Sequence, residues 1–142
     1  PHFYEKFAPA GTKIEIITFD SPTDGKNAVV TKSVDFGAFG IAAATLGAAA
    51  GEPVVVVGAF SNKGMGVISK EYPYGTSMGG LNMIFATHED TVSGKPDLVK
   101  AALGIHRKAV EFMVANKAAV AEMTVQKLGA NRTAVDQALG AN

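Results

Sequence analysis

The sequence predicts an α/β protein, a single lobe of three layers in which helices cover both sides of a mainly parallel sheet. Three patterns carry that expectation. Short β-branched runs alternate along the first half of the chain with helical stretches and glycine turns, the signature of strand–helix–strand units. Residues 53–60 are apolar on both faces, as in a strand buried between two helical layers. After Gly94 the apolar residues recur at helical spacing. The 142 residues suffice for one ordinary domain with its own core, so residues 1–142 read as one lobe.

Residues 13–19 (Lys-Ile-Glu-Ile-Ile-Thr-Phe) follow the turn signal Pro9-Ala10-Gly11 and alternate as a strand does. Residues 20–25 break that strand. Within the breaker, Ser21 or Thr23 can cap a helix running through Val34 and carrying Ala28, Val29 and Val30 to the core. Residues 34–38 read as a second strand, followed by a Phe39-Gly40 turn and a helix over 41–50 that Gly51 terminates. Residues 53–60 form the central strand, residues 61–64 a turn, 65–69 a strand, 71–80 a loop and 81–87 a further strand. Pro96 and Asp97 open a long helix whose stripe is Leu98, Ala102, Ile105, Ala109, Phe112 and Met113. A second helix covers 117–128 and stops at Gly129; Asn131 caps a third over 132–139.

Composition narrows the function. Thirteen basic and thirteen acidic residues give zero formal charge, without the basic excess that nucleic acids or anionic membranes attract, so no nucleic-acid partner is expected. The absence of cysteine removes thiolate catalysis, disulfides and cysteine-held metals. His2, His88 and His106 are too scattered to form a ligand pair; no metal and no cofactor are expected. No apolar run is long enough to span a bilayer as a helix. The chain opens on Pro1 and not on Met, which suggests a processed, trimmed or partial chain and leaves room for a lost leader.

Two loops qualify as ligand contacts. Gly37-Ala38-Phe39-Gly40 joins a strand to a helix, so either the amides of Gly40 and Ile41 point from a positive helix end toward an anion, or the glycines only permit a tight connection. The spacing is not that of a dinucleotide fingerprint, and no acidic residue stands where ribose recognition needs one. Ser61-Asn62-Lys63-Gly64 supplies a hydroxyl, an amide and a cation just past the central strand, or is simply a solvated turn. Tyr72 and Tyr74, with Thr76, Ser77 and Met78, either recognise a small polar molecule or cover a sheet edge. His106 reads as a boundary residue, and Asp20, Asp24 and Asp35 as capping or solvated carboxylates. No serine sits in a nucleophile elbow and no triad can be assembled, so no enzyme is expected.

Residues 34–37, the Ala-rich helix after them, residues 51–57 and residues 61–64 together resemble solute-binding proteins of ABC importers in the nitrate, sulfonate, taurine and thiamine-pyrimidine group, which have the type II periplasmic-binding-protein fold. The resemblance extends to residues 2–6 with 13–19, and to residues 96–100 with 115–117, so it covers nearly the whole chain. It rests on the order of the segments, none of which is specific alone. Such proteins hold a solute between two α/β lobes joined by crossing strands. Here the first strand and most of the second lobe have no counterpart: residues 67–70 resemble the outgoing crossover and residues 72–87 the return, with a junction near 69–73.

The resemblance implies capture of a small anionic or heterocyclic solute and its delivery to the permease subunits of an importer, without chemistry, in a periplasmic or other extracytoplasmic location. Its contacts, carried over by position, are Phe39, Gly40, Ile41, Ser61, Asn62 and Tyr74. Two alternatives follow. The same fold serves thiamine-pyrimidine synthases, which use a histidine and iron-binding residues that this chain does not cluster. A lobe lacking its partner could instead be an interaction fragment that self-associates through uncovered apolar edges.

Overall fold

The computed structural model describes residues 3–62 and 81–140. Three strands, β1 (Phe36–Gly40), β2 (Val54–Asn62) and β3 (Leu81–His88), form a sheet in the order β1-β3-β2. Around it stand helices α1 (Phe3–Phe7), α2 (Pro22–Val30), α3 (Ile41–Ala49), α4 (Glu89–Gly94), α5 (Pro96–Ala115), α6 (Lys117–Leu128) and α7 (Arg132–Gly140). The molecule is therefore α/β, but both hydrogen-bonded strand pairs are antiparallel, which corrects the expected mainly parallel sheet. The cause is topological. β1 and β2, joined by α3, do run in one direction, as a helical crossover requires; β3 arrives later in the chain and inserts between them in the opposite sense, so no parallel pair remains.

The same insertion moves residues 53–60 from the expected centre of the sheet to its edge. None of the residues 54–60 is buried, and Val56 is 47% exposed. The central strand is β3, where Ile84, Ala86, Thr87 and His88 are all buried. Residues 13–19, expected as a strand, are neither helix nor strand and pair with nothing in the sheet. The expected strand over 65–69, the loop over 71–80 and the junction near 69–73 lie outside the described residues.

The helices cover both faces of the sheet. On one face Val29 of α2 and Ala43 and Ala44 of α3 pack with Phe39, Ile84 and Ala86 to make the core. Small residues on α3 let it approach closely. On the other face Leu103 of α5 lies against Gly58, and His106 of α5 stacks on Phe60 and Phe85. The strand alternation sorts the residues: Phe39 opposes Ile84 on the core face, while Ala38 opposes Phe85 on the α5 face.

Local signals account for most helix ends. Ser21 caps α2, its hydroxyl accepting from the Asp24 amide at 3.1 Å. The helix stops at Val30 rather than Val34 because Ser33 N–H bonds the Ala28 carbonyl and Lys32 N–H bonds the Val29 carbonyl, a Schellman ending with Lys32 in the left-handed region at φ 59°. Strand β1 starts two residues later than expected and runs straight into α3, so Phe39 and Gly40 are strand residues and not a turn. Gly51, at φ 72°, ends α3 as expected. α4 has no counterpart in the sequence reading; its cap is His88, whose Nδ1 accepts from the Asp90 amide at 3.0 Å. Pro96 opens α5, Gly129 at φ 63° ends α6, and the Asn131 side chain accepts from the Ala134 amide to cap α7. Within the predicted α5 stripe Ile105 is buried, but Met113 is exposed.

Candidate functional site

Because β1 and β2 share a direction, their carboxyl ends lie at the same end of the sheet. The register makes this specific: Gly40 of β1 and Ser61 of β2 are both partners of Met83 on β3. The three residues form one row across the sheet, and two strand spacings put Gly40 and Ser61 roughly 10 Å apart. Asn62 pairs with Leu81 in the next row. The last described residue of β2 and the first of β3 are therefore paired with each other.

The amino end of α3 opens onto this row. Gly40 is its N-cap, no side chain caps it, and no acidic residue lies in its first turn. The backbone N–H groups of a helix's first turn have no partner within the helix, and carry its positive partial charge. Among the described residues a Cβ on Gly40 would meet nothing within 4 Å, so none of them fills the space beside it. Gly40 has an ordinary φ of −62°, so open approach and not backbone conformation is what glycine provides there. Gly37 differs. A Cβ there would come within 2.8 Å of both Phe39 and Val29, so that glycine serves core packing.

The predicted contacts separate accordingly. Gly40 and Ile41 are at the open helix end, Ile41 being partly exposed. Phe39 is 2% exposed with its ring in the core, which leaves only its backbone to face the row. Ser61 and Asn62 are at the end of β2, beside Met83 and Leu81. Tyr74 and Lys63 lie outside the described residues. Met83 was missed by the sequence reading, because nothing in a single strand announces which strands it will separate.

A cleft of about 630 Å³ lies on the α5 face, and none of the predicted contacts lines it. Its lining includes Phe36, Phe60 and Phe85, with Ile105 of α5 opposite Ile14 and Ile16. The rings of Phe36 and Phe85 stack at 5.2 Å, and His106 stacks on Phe60 at 5.1 Å. The His106 Nε2–H donates to the Ala59 carbonyl at 2.9 Å, which assigns the proton to that nitrogen. His106 is thus tied to the sheet, as a boundary residue should be.

Charged groups mostly pair away from the row. Lys26, nearly buried, bonds the partly buried Glu52 carboxylate beneath α3. Lys32 bonds Asp90 and holds its carboxyl below the usual carboxylate range. Asp136 raises the Arg132 guanidinium in the same manner. Asp35 receives Lys95 at 3.2 Å and Asp24 sits in the first turn of α2; both are exposed, and neither carboxylate caps a described helix. Among the described residues no three His, Asp or Glu side chains converge as a metal site, and no helix is long and apolar enough to cross a membrane.

No family model, curated protein or solved structure matches the chain.

Proposed function

We propose that this chain is a solute-binding lobe of the ABC-importer type, which takes a small anionic or heterocyclic solute of the sulfonate, nitrate, taurine or pyrimidine class at the carboxyl end of its sheet and presents it to permease subunits in an extracytoplasmic compartment. The observation that carries the reading is the row Gly40–Met83–Ser61, with the uncapped amides of α3 beside it. Those amides suit an anion or a ring carbonyl, and the open space at Gly40 gives a ligand backbone-level access. The path of the chain supports it as well. Asn62 and Leu81, which flank residues 63–80, are paired at this edge of the sheet, and in this reading the segments resembling an outgoing and a returning crossover run between them to a second lobe. The type II periplasmic-binding-protein fold belongs to this same reading.

Isothermal titration with taurine, an alkanesulfonate, nitrate and a pyrimidine tests the proposal. At least one should give saturable heat at one site per chain. Gly40→Val should weaken that binding by about tenfold or more, because a branched side chain would occupy the approach to the α3 amides, while the thermal melt stays near that of the parent. Absence of heat with all four, or binding indifferent to Gly40→Val, would overturn it.

A further inference from the structure

β1 has β3 on one side only, so the other row of its backbone N–H and C=O groups has no strand partner among the described residues. Such an edge is a template for a further strand. Residues 13–19 have the composition to supply one: they alternate, carry three isoleucines and a phenylalanine, and contain neither Pro nor Gly. Among the described residues no backbone hydrogen bond joins this segment to any element. Ile16 is 75% exposed and Ile17 50%, an unusual amount of uncovered aliphatic surface for one short segment.

The segment also stands in the right place. Residues 13–17 and Phe19 line the same cleft as Phe36, Gly37 and Ala38 of β1. At its other end, Phe19 and Phe39 each come to 3.8 Å from the position of a Cβ on Gly25, so the late residues of the segment and of β1 flank the same point of α2. Matching late with late makes the two runs parallel. The connection agrees, since the segment is linked to β1 through α2, which packs on β1, and a helical crossover is how adjacent parallel strands are joined.

We infer that residues 13–19 are a strap that closes onto the free edge of β1 as a fourth, parallel strand, collapsing the cleft on the α5 face. With Phe19 beside Phe39, Thr18 falls beside Ala38 and Ile16 beside Phe36. Ile14 and Ile16 then cover the aromatic floor of the cleft, and Ile17 and Phe19 turn toward α2. This occupant is the chain's own segment, and the inference does not depend on the solute-binding reading.

Amide hydrogen exchange on the intact chain reads the closure directly. Alternate amides over 13–19 should exchange about tenfold or more slowly than in the free peptide, as those of a ladder do. Because alternate amides of the segment face β1, one of the two variants Ile17→Pro and Thr18→Pro removes a bonded N–H, and that one should abolish the protection while circular dichroism stays unchanged. A second measurement uses the absence of native cysteine. Under mild oxidation the pair Thr18→Cys with Ala38→Cys should form a disulfide, and the out-of-register pair Glu15→Cys with Ala38→Cys should not, because only neighbouring residues fall within the distance a disulfide spans. Free-peptide exchange at every amide of the segment, or equal oxidation of both pairs, would overturn the inference. So would protection that grows with protein concentration, since it would assign the strand to a second copy of the chain.

Discussion

Replacing Gly37 by alanine puts a methyl group 2.8 Å from the Phe39 ring and 2.8 Å from Val29, two side chains that are themselves 2% and 0% exposed. Neither neighbour can swing into solvent, so the strain must be taken by the β1 backbone or by rotating Phe39 out of its place against Ile84. Overpacking of this kind costs about 1–3 kcal/mol. For a chain of this size each kcal/mol moves the melting midpoint by about 2–4 °C, so a loss of about 2–12 °C is expected. Gly40→Ala, three residues along the same strand, is the internal control: its Cβ meets nothing and its φ is ordinary, and restricting the unfolded chain should stabilise it by about 0.4–1 kcal/mol. Paired urea titrations of the two variants measure the difference at constant slope. Equal midpoints would refute the division of the Gly37–Gly40 motif into a packing glycine and an access glycine.

Lys26→Ala should destabilise the fold by about 1–3 kcal/mol, because it leaves the partly buried Glu52 carboxylate without its donor; the double mutant with Glu52→Gln should recover part of the loss in a urea-based cycle. Asp90 is held below the usual carboxylate range by Lys32, so its contribution is complete above the unfolded value of about 3.9 and disappears as the pH falls through the lower folded value. Midpoints recorded from pH 6 to pH 2 should therefore converge for the parent and Asp90→Asn at the acid end. Lys32→Gly relieves a left-handed side-chain residue but removes the Asp90 partner, so the effect of the substitution on the urea midpoint should become more favourable as the pH falls through the lowered Asp90 value than it is at pH 7.

What could be read from the sequence was whatever one segment decides by itself. Ser21, Gly51, Pro96, Gly129 and Asn131 each act within a turn or two of chain, and each marked its helix end as expected. The early end of α2 was hidden because a lysine, not a glycine, holds the left-handed position. α4 was hidden because a histidine does the work of the usual Ser, Thr, Asp or Asn cap. The strand positions inside the sheet were not legible at all. Residues 53–60 have the composition of a central strand, but which strand becomes central depends on where residues 81–88 insert, and that is settled by pairings across the chain. Residues 13–19 show the converse: a strand-like alternation gives a segment the capacity to pair, not a partner. For the candidate site, Gly40 and Ser61 could be nominated from their places after strands, but their alignment through Met83 is a property of the register alone.

The middle strand of the sheet is the last to be synthesised. β1 and β2 leave the ribosome unable to pair with each other; the first rung of β2 needs Leu81, and the Phe36 end of β1 must wait for Thr87. Such pairings between distant parts of a chain fold slowly and leave nascent strands exposed to wrong partners. Translation halted near residue 62 would accordingly release a polypeptide with two unmated β segments and a Val-rich tail, a substrate for chaperones or for aggregation, whereas completing residues 81–88 supplies in one step the template that both strands require.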